Sequence, residues 1–143
     1  MTLSVVIPIY NEVNYLKFFF KSLLSNFEKE NVQYIFVNDG STDGSQEWLS
    51  NNLHTFQIKN YKYVNLHKNR GKGHALRQGL KFATGDYILF IDSDMEYDPR
   101  DGFEMYQIIK NDSQMHVLFG SRYLTGKIQH REYFFNDIAV RIN

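Results

Sequence analysis

Apolar positions along the chain alternate between short continuous runs and longer stretches at helical spacing. Leu3–Ile9 is a run of strand length, with Pro8 near its end, where a missing N–H does little harm. Leu16, Phe19, Phe20, Leu23, Leu24 and Phe27 then recur on one helical face, so the spacing predicts a helix over 13–27. A second short strand is expected over 34–37, and a short helix carries Trp48, Leu49 and Leu53. Tyr61–Leu66 reads as a third strand, and Leu76, Gly79, Leu80 and Ala83 as the stripe of the next helix. Residues 87–91 form the apolar, β-favouring run of a buried strand. Helical spacing returns over 101–111, Val117–Phe119 reads as a strand, and Phe134, Phe135, Ile138, Ala139 and Ile142 predict a closing helix.

Strands alternating with helices imply an α/β fold, a mostly parallel sheet with helices on both faces. In such sheets the ligand crevice lies outside the carboxyl ends of the strands. Every polar cluster of this chain follows a predicted strand: Tyr10/Asn11/Glu12, Asn38/Asp39, Arg70/Lys72, Asp92/Asp94/Glu96 and Ser121/Arg122. The acids are the most distinctive. After residues 87–91 come Asp92, Asp94, Glu96 and Asp98, one at every second position, which extended backbone would place on one face. Carboxylates that close repel one another, and a hard divalent cation such as magnesium or manganese removes that cost. A solvated turn before Pro99 is the plainer reading. An EF-hand calcium loop fails, because Tyr97 stands where glycine is needed and Phe103 where glutamate is needed.

The length of 143 residues fits one domain over 1–143, and 43% hydrophobic residues supply a core. Lys+Arg and Asp+Glu both total 16, so no overall charge points to nucleic acid, and any attraction for an anion is local. The chain has no cysteine, which excludes disulfides and thiolate metal sites and fits a reducing compartment. No signal peptide and no apolar run of transmembrane length is visible, so the expected location is cytoplasmic.

Arg70, Gly71, Lys72 and Gly73 precede a predicted helix, an arrangement that reads equally as a phosphate cradle or a solvated basic turn. Asp39 could accept from a base or ribose, or cap its own turn. Asp43 is better suited to capping than to ligating. Arg122 could pair with a phosphate or form a surface ion pair. Tyr10 could stack on a base or pack at the strand end. The five histidines make no metal-spaced pair, and no nucleophile elbow is present.

Residues 5–12 (Val-Val-Ile-Pro-Ile-Tyr-Asn-Glu), 37–45 (Val-Asn-Asp-Gly-Ser-Thr-Asp-Gly-Ser), 69–79, 85–99 and 120–123 resemble, in order, the family 2 glycosyltransferases. The branch resembled is that of the dolichyl-phosphate mannose and glucose synthases. The resemblance implies a GT-A fold, a UDP- or GDP-sugar donor, inversion at the anomeric carbon and a role in cell-wall or glycan biosynthesis. It implies nucleotide-sugar contacts at Pro8, Tyr10, Glu12 and Asp39, with Arg122 and Arg131 facing phosphate; Arg70, Lys72 and Ser93, at the same strand ends, are expected to join them in binding the nucleotide sugar. Asp92 and Asp94 would hold Mg2+ or Mn2+ and the donor diphosphate, with Glu96 completing the metal site. Asp92, Asp94 and Arg122 would be the catalytic set, and the acceptor a polyprenyl phosphate or a glycan. The alternative is a nucleotide-sugar-binding module without transfer activity. Members with this pattern are longer, so the chain is expected to be the N-terminal part of a longer protein. The expected closing helix, with Arg131 and Arg141 beside aromatics, would pack into the core or lie on a membrane interface at the cytoplasmic face.

Overall fold

A computed structural model describes residues 2–120 in full and residues 138–141 as backbone. The elements are β1 (Leu3–Ile9), α1 (Val13–Asn26), β2 (Val32–Asp39), α2 (Ser45–Asn52), a 3-10 turn (Leu53–Phe56), β3 (Tyr61–Leu66), α3 (Lys72–Leu80), β4 (Tyr87–Phe90), α4 (Pro99–Asn111), β5 (Val117–Phe119) and β6 (Ile138–Arg141). They build one sheet in the order β3-β2-β1-β4-β6-β5. β1 to β4 run parallel, as the strand–helix alternation requires, and β6 runs antiparallel to both β4 and β5. The sheet with its flanking helices is the GT-A type of α/β fold.

The closing helix expected through Ile138 and Ala139 is corrected: residues 138–141 are a strand. An apolar run this short fits helix or strand by spacing alone. The flank of β4 decides between them, because its backbone groups need partners and β6 supplies them, with Tyr87 opposite Arg141 and Phe90 opposite Ile138. Phe134, Phe135 and Ile142 lie outside the described residues.

Alternation along the strands divides the core into two layers. Leu3, Val5, Ile7 and Ile9 of β1, Phe36 of β2 and Leu89 of β4 share one cluster with Leu16, Phe19, Phe20 and Leu23 of α1, Leu49 of α2 and Ile109 of α4. Val6, Ile35, Val37 and Ile88 point the other way and meet Ala75 of α3. The face predicted for α1 is the buried one. That of α3 is shifted: Ala75 and Gly79 are buried, Leu80 is exposed, and the helix ends before Ala83. Close approach is the cause. A Cβ added at Gly79 would stand 2.5 Å from Val6 Cγ1, so only the smallest side chains fit where α3 crosses the sheet.

β1 lies between β2 and β4. The chain leaves β1 toward β2 and β3, then returns through α3 to β4 on the opposite side. The carboxyl ends of β1 and β4 therefore flank the point where strand order reverses, the position at which open α/β sheets take their ligands. Among the described residues no helix is long and apolar enough to cross a membrane.

Candidate active site

The loop after β1 is laced to the loop after β2. Asn11, in the left-handed region at φ +57°, donates its N–H to Ser41 Oγ (3.0 Å) and accepts the Thr42 N–H at Oδ1 (2.8 Å). The Glu12 N–H donates to Ser45 Oγ (2.9 Å), and the Val13 N–H donates to Asp43 Oδ2 (3.0 Å). Asp43 thus satisfies a first-turn N–H of α1 from a neighbouring loop, while Glu12 in the N-cap position makes no side-chain cap. Asp43 Oδ1 also accepts the Ser45 N–H and hydroxyl. Burial opposes its charge, but the hydrogen bonds from Ser45 and Val13 prevail and hold its carboxyl below the usual range. Asp43 is a cap, as expected, serving two helices. Asn11 belongs to the polar cluster expected after β1, but its bonds to the loop after β2, like those of Ser41 and Ser45, join partners about one element apart in sequence, and no local spacing reports them.

Asp39 is buried at the end of β2. Its carboxylate accepts the Arg70 N–H (3.2 Å to each oxygen) and the Gly71 N–H (2.8 Å), so it pins the loop that leads into α3. A nucleoside contact from Asp39 would have to share these oxygens. The same loop presses on Gly40, where φ is +70° and an added Cβ would stand 2.6 Å from the Asn69 nitrogen. Gly71, at φ +89°, occupies the N-cap position of α3. Nothing lies within 4 Å of where a Cβ at Gly71 or Gly73 would sit, so this helix start is sterically open. The Arg70 residue is exposed beside it.

β4 ends at Phe90, and the next residues stay tied to β1: the Ile91 N–H donates to Val6 O (3.3 Å) and Ser93 Oγ donates to Pro8 O (3.1 Å). Beyond Ser93 the extended run of alternating acids expected from the sequence is corrected. Asp94 Oδ1 accepts the Glu96 N–H (2.9 Å), and Met95 takes φ +58°, so the backbone turns. Asp98 leaves the cluster to cap α4, accepting the Arg100 N–H (3.0 Å), with Pro99 in the first turn and Ser22 Oγ donating to it from α1 (3.0 Å).

Asp92, Asp94 and Glu96 nevertheless converge electrostatically on Glu12 across the strand-order reversal. Burial first, then the charges of Asp94, Asp43, Asp92 and Glu96, push the Glu12 carboxyl up to about 7. Burial likewise raises Asp92, against the opposing hydrogen bond and charge of Lys72, with Asp94 and Glu96 adding to the rise. Lys72 Nζ lies 2.5 Å from Asp92 Oδ2. Glu96 is exposed, and among the described residues no three histidine, aspartate or glutamate side chains close on one point as a complete metal cage. Tyr10 is 43% exposed over the crevice end of β1 and Pro8 is half-buried. Arg122 and Arg131 lie outside the described residues.

The model of the family described as "Glycosyl transferase family 2" matches residues 4–134. The poly-β-1,6-N-acetyl-D-glucosamine synthase of Staphylococcus aureus (strain MSSA476) is 30% identical over 141 residues, covering 92% of this chain and 32% of that protein. The chain thus spans about a third of the length of the curated relatives it matches. Among solved structures, a mannosyltransferase from Pyrobaculum calidifontis in complex with GDP-Man and Mn2+ superposes with a TM-score of 0.77 at 19% identity, over 97% of this chain and 44% of that one. S. aureus TarS 1-349 in complex with UDP-GlcNAc is similar at 25% identity and a TM-score of 0.67, over 92% and 37%. With its motifs in order around the strand-order reversal and nearly its whole length matched, the chain belongs to glycosyl transferase family 2.

Proposed function

We propose that this chain is the donor-binding part of an inverting glycosyltransferase that moves a sugar from a UDP- or GDP-sugar to a glycan acceptor, using Mg2+ or Mn2+ held at Asp92 and Asp94. The carrying observation is that Asp92, Asp94 and Glu96 stand close enough to Glu12 at the reversal point for their charges to add to its burial, the larger cause, in pushing its carboxyl up to about 7. The residues fit a hard cation. Their donors are carboxylate oxygens, the ligand type that Mg2+ and Mn2+ prefer, and Asp92 is held in the crevice wall with its side chain mostly buried. A bound divalent cation supplies stabilisation for the negative charge that develops on the departing nucleotide.

The chain's own groups then have distinct tasks. The start of α3, with Arg70 and Lys72, offers N–H groups and positive charge to the diphosphate. Tyr10 offers an exposed ring for the base at the end of β1, where Ser93 is tied to Pro8. Asp39 keeps the phosphate loop in place from below. Arg122 and Arg131 are assigned to donor or acceptor phosphate by their resemblance alone. The name of the 30% identical relatives, a glucosamine polymer synthase, favours a saccharide over a polyprenyl phosphate as acceptor.

Calorimetric titration of UDP and GDP, with and without Mn2+, tests the donor site. Affinity for one nucleotide should rise with Mn2+, and Asp92→Asn and Asp94→Asn should each remove most of that rise. Persistence of the Mn2+ effect in both variants rejects the site. Incubation of the full protein with matching sugar nucleotide and either a saccharide or a short polyprenyl phosphate then distinguishes the acceptor classes, and donor binding without transfer to either identifies a binding module.

A further inference from the structure

We infer that Lys72 is an exchangeable internal cation: it neutralises Asp92 in the donor-free protein and yields to the divalent metal when a nucleoside diphosphate enters, so that metal and nucleotide bind as a coupled pair. The inference rests on the assignment of Asp92 as a metal-holding residue made above. Its first support is geometric. The Lys72 ammonium sits 2.5 Å from Asp92 Oδ2, against the same carboxylate a metal would need. The Asp92 side chain is only 14% exposed, whereas that of Lys72 is 39% exposed. The acid is fixed in the crevice wall, and the lysine has solvent into which its stem can swing.

The second support is a broken local rule. Lys72 is the first residue of α3, where the helix dipole is positive and a cation is unfavourable. The first turn holds no acidic residue and no side-chain cap to offset it. Helical preference alone would not put a lysine there. The position makes sense if the charge is aimed across the reversal point at β4. The aim is set from outside the helix: buried Asp39 accepts the N–H groups of Arg70 and Gly71, the two residues that precede Lys72. Once displaced from Asp92, the ammonium remains at a helix start suited to a diphosphate. One positive charge therefore serves the acid before the donor arrives and the donor afterwards, without leaving either anion bare in the crevice.

Lys72→Met keeps the stem and removes the charge. Mn2+ binding, followed by electron paramagnetic resonance without nucleotide, should tighten about tenfold in this variant. The gain in Mn2+ affinity on adding UDP or GDP should be smaller in the variant than in the native protein by a similar factor. Lys72→Arg should restore weak Mn2+ binding. Unchanged Mn2+ affinity in both Lys72→Met and Lys72→Gln, each checked for folding by circular dichroism, overturns the inference. Asp92→Asn separates the two layers of argument. If it abolishes Mn2+ binding while Lys72→Met matches the native protein, the metal assignment stands and the exchange does not. If it leaves Mn2+ binding intact in the Lys72→Met background, both fail.

Discussion

Replacing Glu12 by glutamine should stabilise the protein at neutral and basic pH and leave it unchanged in acid. Glu12 rises from an ordinary 4.5 to about 7, first because it is buried and then because Asp94, Asp43, Asp92 and Glu96 face it. The folded state thus binds this proton more tightly than the unfolded chain does. The associated stability is fully present below 4.5 and is lost as pH climbs through about 7. At ~1.36 kcal/mol per pH unit the rise has a ceiling of ~3.4 kcal/mol. Glu12 is only partly buried, and solvent screening reduces this to on the order of 1 kcal/mol. Glutamine has the same shape and retains the backbone donor to Ser45 Oγ, so the substitution removes charge and little else. Urea unfolding on the acid side of 4.5 and again above about 7 measures the difference. The variant should gain ~1 kcal/mol only in the second condition. An equal effect in both, or a loss of stability above 7, would refute the electrostatic account. Mn2+ with nucleotide should narrow the gap, because added positive charge lets the native carboxylate ionise at lower cost.

Two substitutions test the scaffold that aims the site. Gly79→Ala brings a methyl group to 2.5 Å from Val6 Cγ1 and 3.0 Å from Val37 Cγ2, so despite the better helix propensity of alanine it should cost ~1–2 kcal/mol in urea unfolding; unchanged or raised stability would show that α3 can lift off the sheet freely. Asp43→Ala removes acceptors from Val13 and Ser45 and should cost ~1–2 kcal/mol at neutral pH. Because the Asp43 carboxyl is held below its ordinary 3.8, its contribution is present above that value and lost as pH falls through the lower native one. The penalty should therefore fade in strong acid, and a penalty independent of pH would point to lost packing instead.

The parts of the fold that could be read from sequence are those where one periodicity dominates. The spacing of Leu16, Phe19, Phe20 and Leu23 admits only a helix, and all four are buried. The parallel order follows from alternation, and with it the convergence of polar loops at one sheet edge. Failures came where an interaction from a distant element chose between local options. Ile138–Arg141 became a strand because β4 needed a partner. The four alternating acids did not stay in register, because Asp94 closes a turn and Asp98 serves α4 and Ser22. Ala75 has no signature in the spacing of α3, since a small residue signals nothing unless the neighbouring β1 and β2 stand close. The Lys72–Asp92 pair joins the start of α3 to the loop after β4 and has no local signature, although each residue belongs to a polar cluster that follows a strand.

Most of the unfavourable features share one place, which argues for function independently of resemblance. Of the three non-glycine residues at positive φ among the described residues, Asn11 and Met95 lie at the carboxyl ends of β1 and β4 and Gln57 does not; Lys72, opposing a helix dipole, and the crowded carboxylates join the first two. β1, by contrast, presents Leu3, Val5, Val6, Ile7 and Ile9 with no exposed surface, in a ladder paired on both sides. A rigid strand of that kind can hold in place a crevice rim on which carboxylates crowd one another. Glutamine at position 12 would relieve the repulsion at no cost in shape. The acids stand there nonetheless, and on the function proposed above a divalent cation arriving with the donor phosphates would be what relieves their crowding.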